Sequence, residues 1–172
     1  MQDPVDAETV DLRVWLVKVP DGRAEEFKDR LVEAASRTKA EVLVLRADLV
    51  FGSDHLRSAL YHAKRAIREG RNASESLAME TLLYASGERQ LSTAIEKMSV
   101  DASSAEVVIA QLTKGHIETD SSWRPMERVK VEWKDVDLAG FGISKEEMGT
   151  AGPERALELV LEKVASVDVM KK

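Results

Sequence analysis

Apolar positions along this chain switch between two periods, and the switches mark out its elements. Over residues 10–19 the alternation is that of a strand, with Leu12, Val14 and Leu16 on one side and Trp15 and Val17 on the other. Pro20, Asp21 and Gly22 end it. Residues 23–36 take helical spacing, with Phe27, Leu31, Val32 and Ala35 inward and Glu25, Lys28 and Glu33 outward. Residues 41–46 form a second strand. Val42 to Leu45 is apolar on both faces, which predicts a central position in a sheet. A β-α-β unit thus opens the chain.

Three helical patterns follow between Asp48 and Met98, separated by Gly70 and Gly87. In the first, residues 54–69, Leu56, Ala59, Leu60, Ala63, Ala66 and Ile67 share one face; Arg57, Tyr61, Lys64, Arg65 and Arg68 lie roughly opposite. Ser53 or Asp54 can cap its start, and the basic last turn suits the helix dipole by itself. The second, residues 74–85, is apolar almost all round through Leu77, Ala78, Met79, Leu82, Leu83, Tyr84 and Ala85, with Asn72 and Glu75 at capping-box spacing. Such a helix is either central to the core or turns a second face to a partner. The third, residues 88–98, places Leu91, Ala94, Ile95 and Met98 inward.

Residues 106–112 read as a strand apolar on both faces. Residues 127–133 read as another, with Val129, Val131 and Trp133 alternating against Arg128, Lys130 and Glu132. A long polar loop, residues 113–125, joins them. Ser144 and Glu147 offer a capping box for a short helix, and Pro153 suits the first turn of a last one with Leu157, Val160, Leu161 and Val164 as its seam. The expectation is one α+β domain over residues 1–172. It has a sheet of about four strands with a β-α-β start, an inserted three-helix cluster and a C-terminal helix.

Composition narrows the function classes. The chain is 44% apolar and 33% charged, an ordinary globular balance. Having no cysteine, it has no thiolate metal site and no thiol nucleophile. Its start lacks a basic n-region and no window reaches about 18 uninterrupted apolar residues, so a cytoplasmic location is expected. The net charge of −6 argues against bulk binding to a polyanion. Between His55 and Arg71, however, five basic residues meet one acidic one, a local +4 that suits a small, defined anionic ligand.

Catalytic chemistry is not visible. His55, His62 and Glu69 share a helical side, but seven-residue spacing separates neighbours by about 10 Å, too far for one metal ion. No Gly-rich phosphate loop, GxSxG or HExxH is present, so no metal, cofactor or enzyme activity is expected. His55, at a helix start, reads as a packing residue or as a contact to RNA. The turn from Tyr84 to Gln90 is sharper: Gly87 permits a left-handed helix end and the next helix begins at once. It is either a plain helix–turn–helix corner or a place where N–H groups, Arg89 and Gln90 meet a phosphate or a base edge.

The strings VFGSDHLRSALYHAKRAIREG and AMETLLYASGERQLSTAIEKM resemble the signature of the small kinase-associated subunit of the KEOPS (EKC) complex. That family comprises the archaeal subunit and its eukaryotic relative, the p53-related-protein-kinase-binding protein. The likeness is dense over residues 50–98 and loose elsewhere. It implies an archaeal-type, non-catalytic subunit that binds a small atypical kinase/ATPase, through it meets the threonylcarbamoyl transferase subunit, and grips the single-stranded CCA end of tRNA. The motifs match that grip to the helix from His55 to Arg68 and the turn from Gly87 to Gln90; the individual contacts expected within them are His55, Tyr61, Lys64, Arg65, Arg68, Gly87, Arg89 and Gln90. Met79, Leu82 and Leu83 are the expected kinase face. The rival expectation is a purely protein-interacting activator of the kinase with no RNA contact.

Overall fold

A computed structural model describes residues 12–171. Strands β1 (Arg13–Lys18), β2 (Val42–Arg46), β3 (Glu106–Gln111) and β4 (Arg124–Pro125) form one sheet in the order β2-β3-β1-β4, and every pairing is antiparallel. Since β1 and β2 both run against β3, they are parallel to each other with β3 between them. The opening β-α-β is therefore split by a later strand. Val10, where the expected first strand began, lies outside the described residues.

Alternation along the strands divides the core in two. Val14, Leu16, Leu43, Leu45, Val108 and Ala110 face one side of the sheet; Val17, Val42, Val44, Val107 and Ile109 face the other. Helix α1 (Ala24–Arg37) covers the second side with Ala24, Leu31 and Ala35, joined by Phe27. Trp123, from the polar loop, closes this layer edge-on to Trp15 and Phe27, with ring centroids 5.7 and 6.1 Å away. The loop is pinned rather than loose, because the Gln111 carboxamide donates to the Thr113 and Gly115 carbonyls at 3.0 and 2.8 Å.

The first side carries α2 (Gly52–Arg68), α3 (Leu77–Ser86), α4 (Leu91–Met98) and the last helix, α6 (Ala156–Met170), preceded by the short α5 (Lys145–Ala151). Helix α3 is the centre of this layer: eight of its ten residues are buried, including Glu80 and Thr81. The capping box expected at the start of α5 is present, with Ser144 Oγ accepting from Glu147 N–H at 3.0 Å and the Glu147 carboxylate accepting from Ser144 N–H at 2.7 Å.

Four expectations are corrected. The strand expected over residues 127–133 is two 3-10 turns, Met126–Arg128 and Trp133–Asp135, joined by an extended piece; the pairing instead comes earlier, as β4. Pro125 offers no N–H to the ladder, so the chain leaves the sheet there, and its alternating Val129 and Val131 pack against the core without pairing. Helix α3 starts at Leu77 under a Ser76 cap, not an Asn72–Glu75 box; the Ala73 and Ser74 amides are taken up by the Glu80 carboxylate at 2.9 and 3.0 Å. Neither Ser53 nor Asp54 caps α2, whose N-cap is Phe51. Finally, β2 is an edge strand, since both its faces are apolar only because helices cover both.

Candidate functional site

The conspicuous turn is built from the inside. Gly87 takes φ 69° and its N–H closes α3 on the Tyr84 carbonyl at 3.1 Å. A side chain there would be strained by that φ, and its Cβ would lie 3.4 Å from Lys163 Cβ. Ser86, fully buried, donates to the Leu83 carbonyl at 2.7 Å and accepts from Glu88 N–H at 3.1 Å. Lys97 reaches back from α4 to donate to the Ser86 carbonyl at 2.7 Å and to Glu88 at 3.1 Å, with its ammonium 4.8 Å from the Phe141 ring centroid. Arg89 and Gln90 stand exposed on this braced knuckle. Gln90 is the N-cap of α4 yet makes no side-chain cap bond, which leaves its carboxamide unused by its own helix.

His55 belongs to the brace and not to the exposed surface. It is fully buried, its Nδ1 accepting from Phe51 N–H at 3.0 Å and its Nε2 lying 2.8 Å from the Ala85 carbonyl. An accepting Nδ1 fixes the proton on Nε2, so the ring is neutral and donates to Ala85. Burial pushes its pKa down to about 4, only partly offset by the Ala85 bond. His55 thus ties the start of α2 to the end of α3, directly behind the Gly87 turn.

The outward row of α2 is less cationic than its sequence. Tyr61 is exposed and edge-on to His62 at 5.5 Å. Lys64 and Arg65 are half-buried, and Arg65 pairs with Glu69 at 3.4 Å. Arg57 pairs with Asp54 at 3.0 Å. Arg71 is held by Glu69 at 2.8 Å and Asp168 at 3.3 Å. Arg68 is exposed and makes no ion pair among the described residues. The thirteen helical steps from His55 to Arg68 span about 20 Å of helix axis. The turn and the cationic end therefore lie at opposite ends of α2, with Tyr61 and Lys64 between them.

The three residues expected to meet the kinase separate by depth. Leu83 is wholly buried and Leu82 nearly so, while Met79 is half-buried at the margin of the core. The apolar excess of α3 is mostly spent on the interior, and Met79 is the most exposed of the three.

Sequence reasoning missed a polar cluster between α2, α3 and α6. Asp168 accepts from Tyr84 Oη at 2.5 Å and lies 2.8 Å from His62 Nδ1, with the His62 ring stacked on Tyr84 at 5.5 Å. Burial pushes the Asp168 carboxyl up, but the bonds from Tyr84 and His62 outweigh it and its pKa is lowered overall. Burial, then the Asp168 bond, drives the Tyr84 phenol well above its usual value. Next to it Lys171 pairs with the fully buried Glu80 and lies 3.3 Å from Tyr84 Oη. The available signal was Asp168 itself, a carboxylate four residues beyond Val164 on the apolar seam of α6.

Among the described residues no group of His, Asp and Glu could hold a metal ion, and no helix is long and apolar enough to cross a membrane. A family model described as kinase binding protein CGI-121 matches residues 22–145, from the turn before α1 to the first residue of α5. No curated protein matches the chain.

Proposed function

The chain belongs to the CGI-121 family of kinase-binding proteins, and from that premise we propose that it is the non-catalytic accessory subunit of a KEOPS-type complex that makes N6-threonylcarbamoyladenosine in tRNA. In this reading it works in the cytoplasm, holds the atypical kinase/ATPase subunit, and presents the single-stranded CCA end of tRNA while a transferase subunit carries out the chemistry. The observation that supports RNA recruitment is the braced turn, with exposed Arg89 and Gln90 on a backbone held by His55, Ser86 and Lys97. Pre-set donors bind a short strand without first being ordered. Tyr61 adds a stacking face, and Arg65 and Arg68, with Lys64, add phosphate contacts along α2.

A second reading is favoured by a specific observation. Arg57, Arg65 and Arg71 are already paired with Asp54, Glu69 and Asp168 on this same chain. That neutralisation, with the net charge of −6, suits a purely protein-interacting activator of the kinase. Two substitutions separate the readings. Arg89→Ala should weaken tRNA binding by about 1–3 kcal/mol and relax discrimination among tail sequences, as loss of a base-edge contact does. Arg68→Ala should weaken all tails alike and lower the salt dependence by about one phosphate contact. If neither variant changes tRNA affinity, the protein-only reading holds.

A further inference from the structure

The outer edge of β2 is open. On its inner edge the Leu112 N–H donates to the Glu41 carbonyl at 2.9 Å. In this antiparallel register Leu43 and Leu45 therefore also turn their main-chain groups toward β3. Val42 and Val44 turn theirs outward, and among the described residues nothing pairs with them. The edge forms the floor of a groove of about 370 Å³. One wall is α1, through Val32 and Ser36; the other is α3 and α4, through Met79, Leu82 and Ile95. Val32 and Ile95, which the helical spacing predicted to face inward, are instead 44% and 40% exposed, because each sits at the margin of its helix's apolar face beside the groove.

We propose that the kinase docks in this groove by strand addition. An extended kinase segment pairs with the outward N–H and C=O groups of Val42 and Val44, and its side chains fall alternately against the α1 wall and the α3–α4 wall. The inference rests on the kinase-binding reading and gives that reading its surface. Unpaired main-chain groups in a strand repeat select another extended main chain; a helix has none free along its length to offer. The lining carries one cation and one carboxylate, Lys28 and Glu41, with the rest uncharged, which gives a polyanion no purchase. A second copy of this chain is also a poor fit. Its own β2 is recessed between the same walls, so two such edges cannot approach to the roughly 4.8 Å of paired strands. Met79, the most exposed residue of the expected kinase face, lies on the groove wall beside Leu82.

The test is amide hydrogen exchange on the full chain, free and with the kinase subunit of the same organism, alongside binding by Val32→Asp and Ile95→Asp. In the free chain the Val42 and Val44 amides should exchange quickly and the Leu43 and Leu45 amides slowly. In the complex Val42 and Val44 should become protected. Each variant should melt as wild type does and lose kinase affinity by about tenfold or more. A complex that forms with Val42 and Val44 still exchanging freely overturns strand addition and leaves kinase binding standing. Protection in the free chain that rises with its concentration overturns it in favour of a second copy. Wild-type chain that does not bind the kinase at all overturns both.

Discussion

His55 does its work as a neutral ring. Its pKa near 4 in the folded chain, against an ordinary 6.5, means that the unfolded chain binds a proton first as the pH falls. The associated stability is fully present above pH 6.5 and is lost progressively as the pH falls toward 4, on the order of 3 kcal/mol in all. Denaturant unfolding between pH 7 and pH 4 should show that loss, and His55→Gln should remove much of its pH dependence; an unchanged slope would contradict the assignment. Glu80 makes the complementary case. Two amides and the Lys171 ammonium satisfy it in the interior. Lys171→Met should cost about 3–5 kcal/mol, because it leaves a buried carboxylate without its counter-charge. Adding Glu80→Gln to that variant should recover part of the loss, as read from the denaturation midpoint.

Among the elements, α3 decides how the apolar surplus of the sequence is to be understood. Leu83→Ala should destabilise by about 2–5 kcal/mol, the cost of a core cavity. Met79→Ala, at the margin, should cost less stability than that and weaken kinase affinity instead. Equal melting losses with unchanged affinity would place Met79 in the core alone. Periodicity alone made α1, α2 and α4 legible, since each has a dominant apolar face, whereas α6 buries Ala156, Val160, Val164 and Val167 and leaves Leu157 and Leu161 of its expected seam half-buried. Periodicity could not decide α3, because a helix apolar all round looks alike whether it is buried or docked. Nor could it place β2: Val42 to Leu45 is apolar on both faces, which reports helices above and below and says nothing about a neighbour in the plane. The misplaced fourth strand has a similar cause. Val129, Val131 and Trp133 alternate in extended backbone, while pairing depends on where Pro125 lets the chain leave the sheet. Of the candidate site, what was legible is that Arg89, Gln90, Tyr61 and Arg68 are exposed. The burial of His55 was not, because a histidine at a helix start has the same pattern inside and out.

At the scale of the whole molecule, the groove and the turn are neighbours along α4, which has Gln90 as its N-cap and Ile95 in the groove lining. The groove at β2 lies between α1 and the α3–α4 pair, and the braced turn lies at the start of α2. In the proposed reading, a protein partner at the first leaves the second for RNA. Substitutions at Arg89 should therefore leave kinase binding intact, and Ile95→Asp should leave tRNA binding intact; loss of both ligands in either variant would mean one shared surface. The adaptor claim itself meets its most direct test in the affinity of the purified chain for tRNA, intact and with the CCA end removed, at two salt concentrations. The account predicts that trimming weakens binding at both concentrations and that the intact tRNA shows the steeper salt dependence. Equal affinity for intact and trimmed tRNA would contradict it.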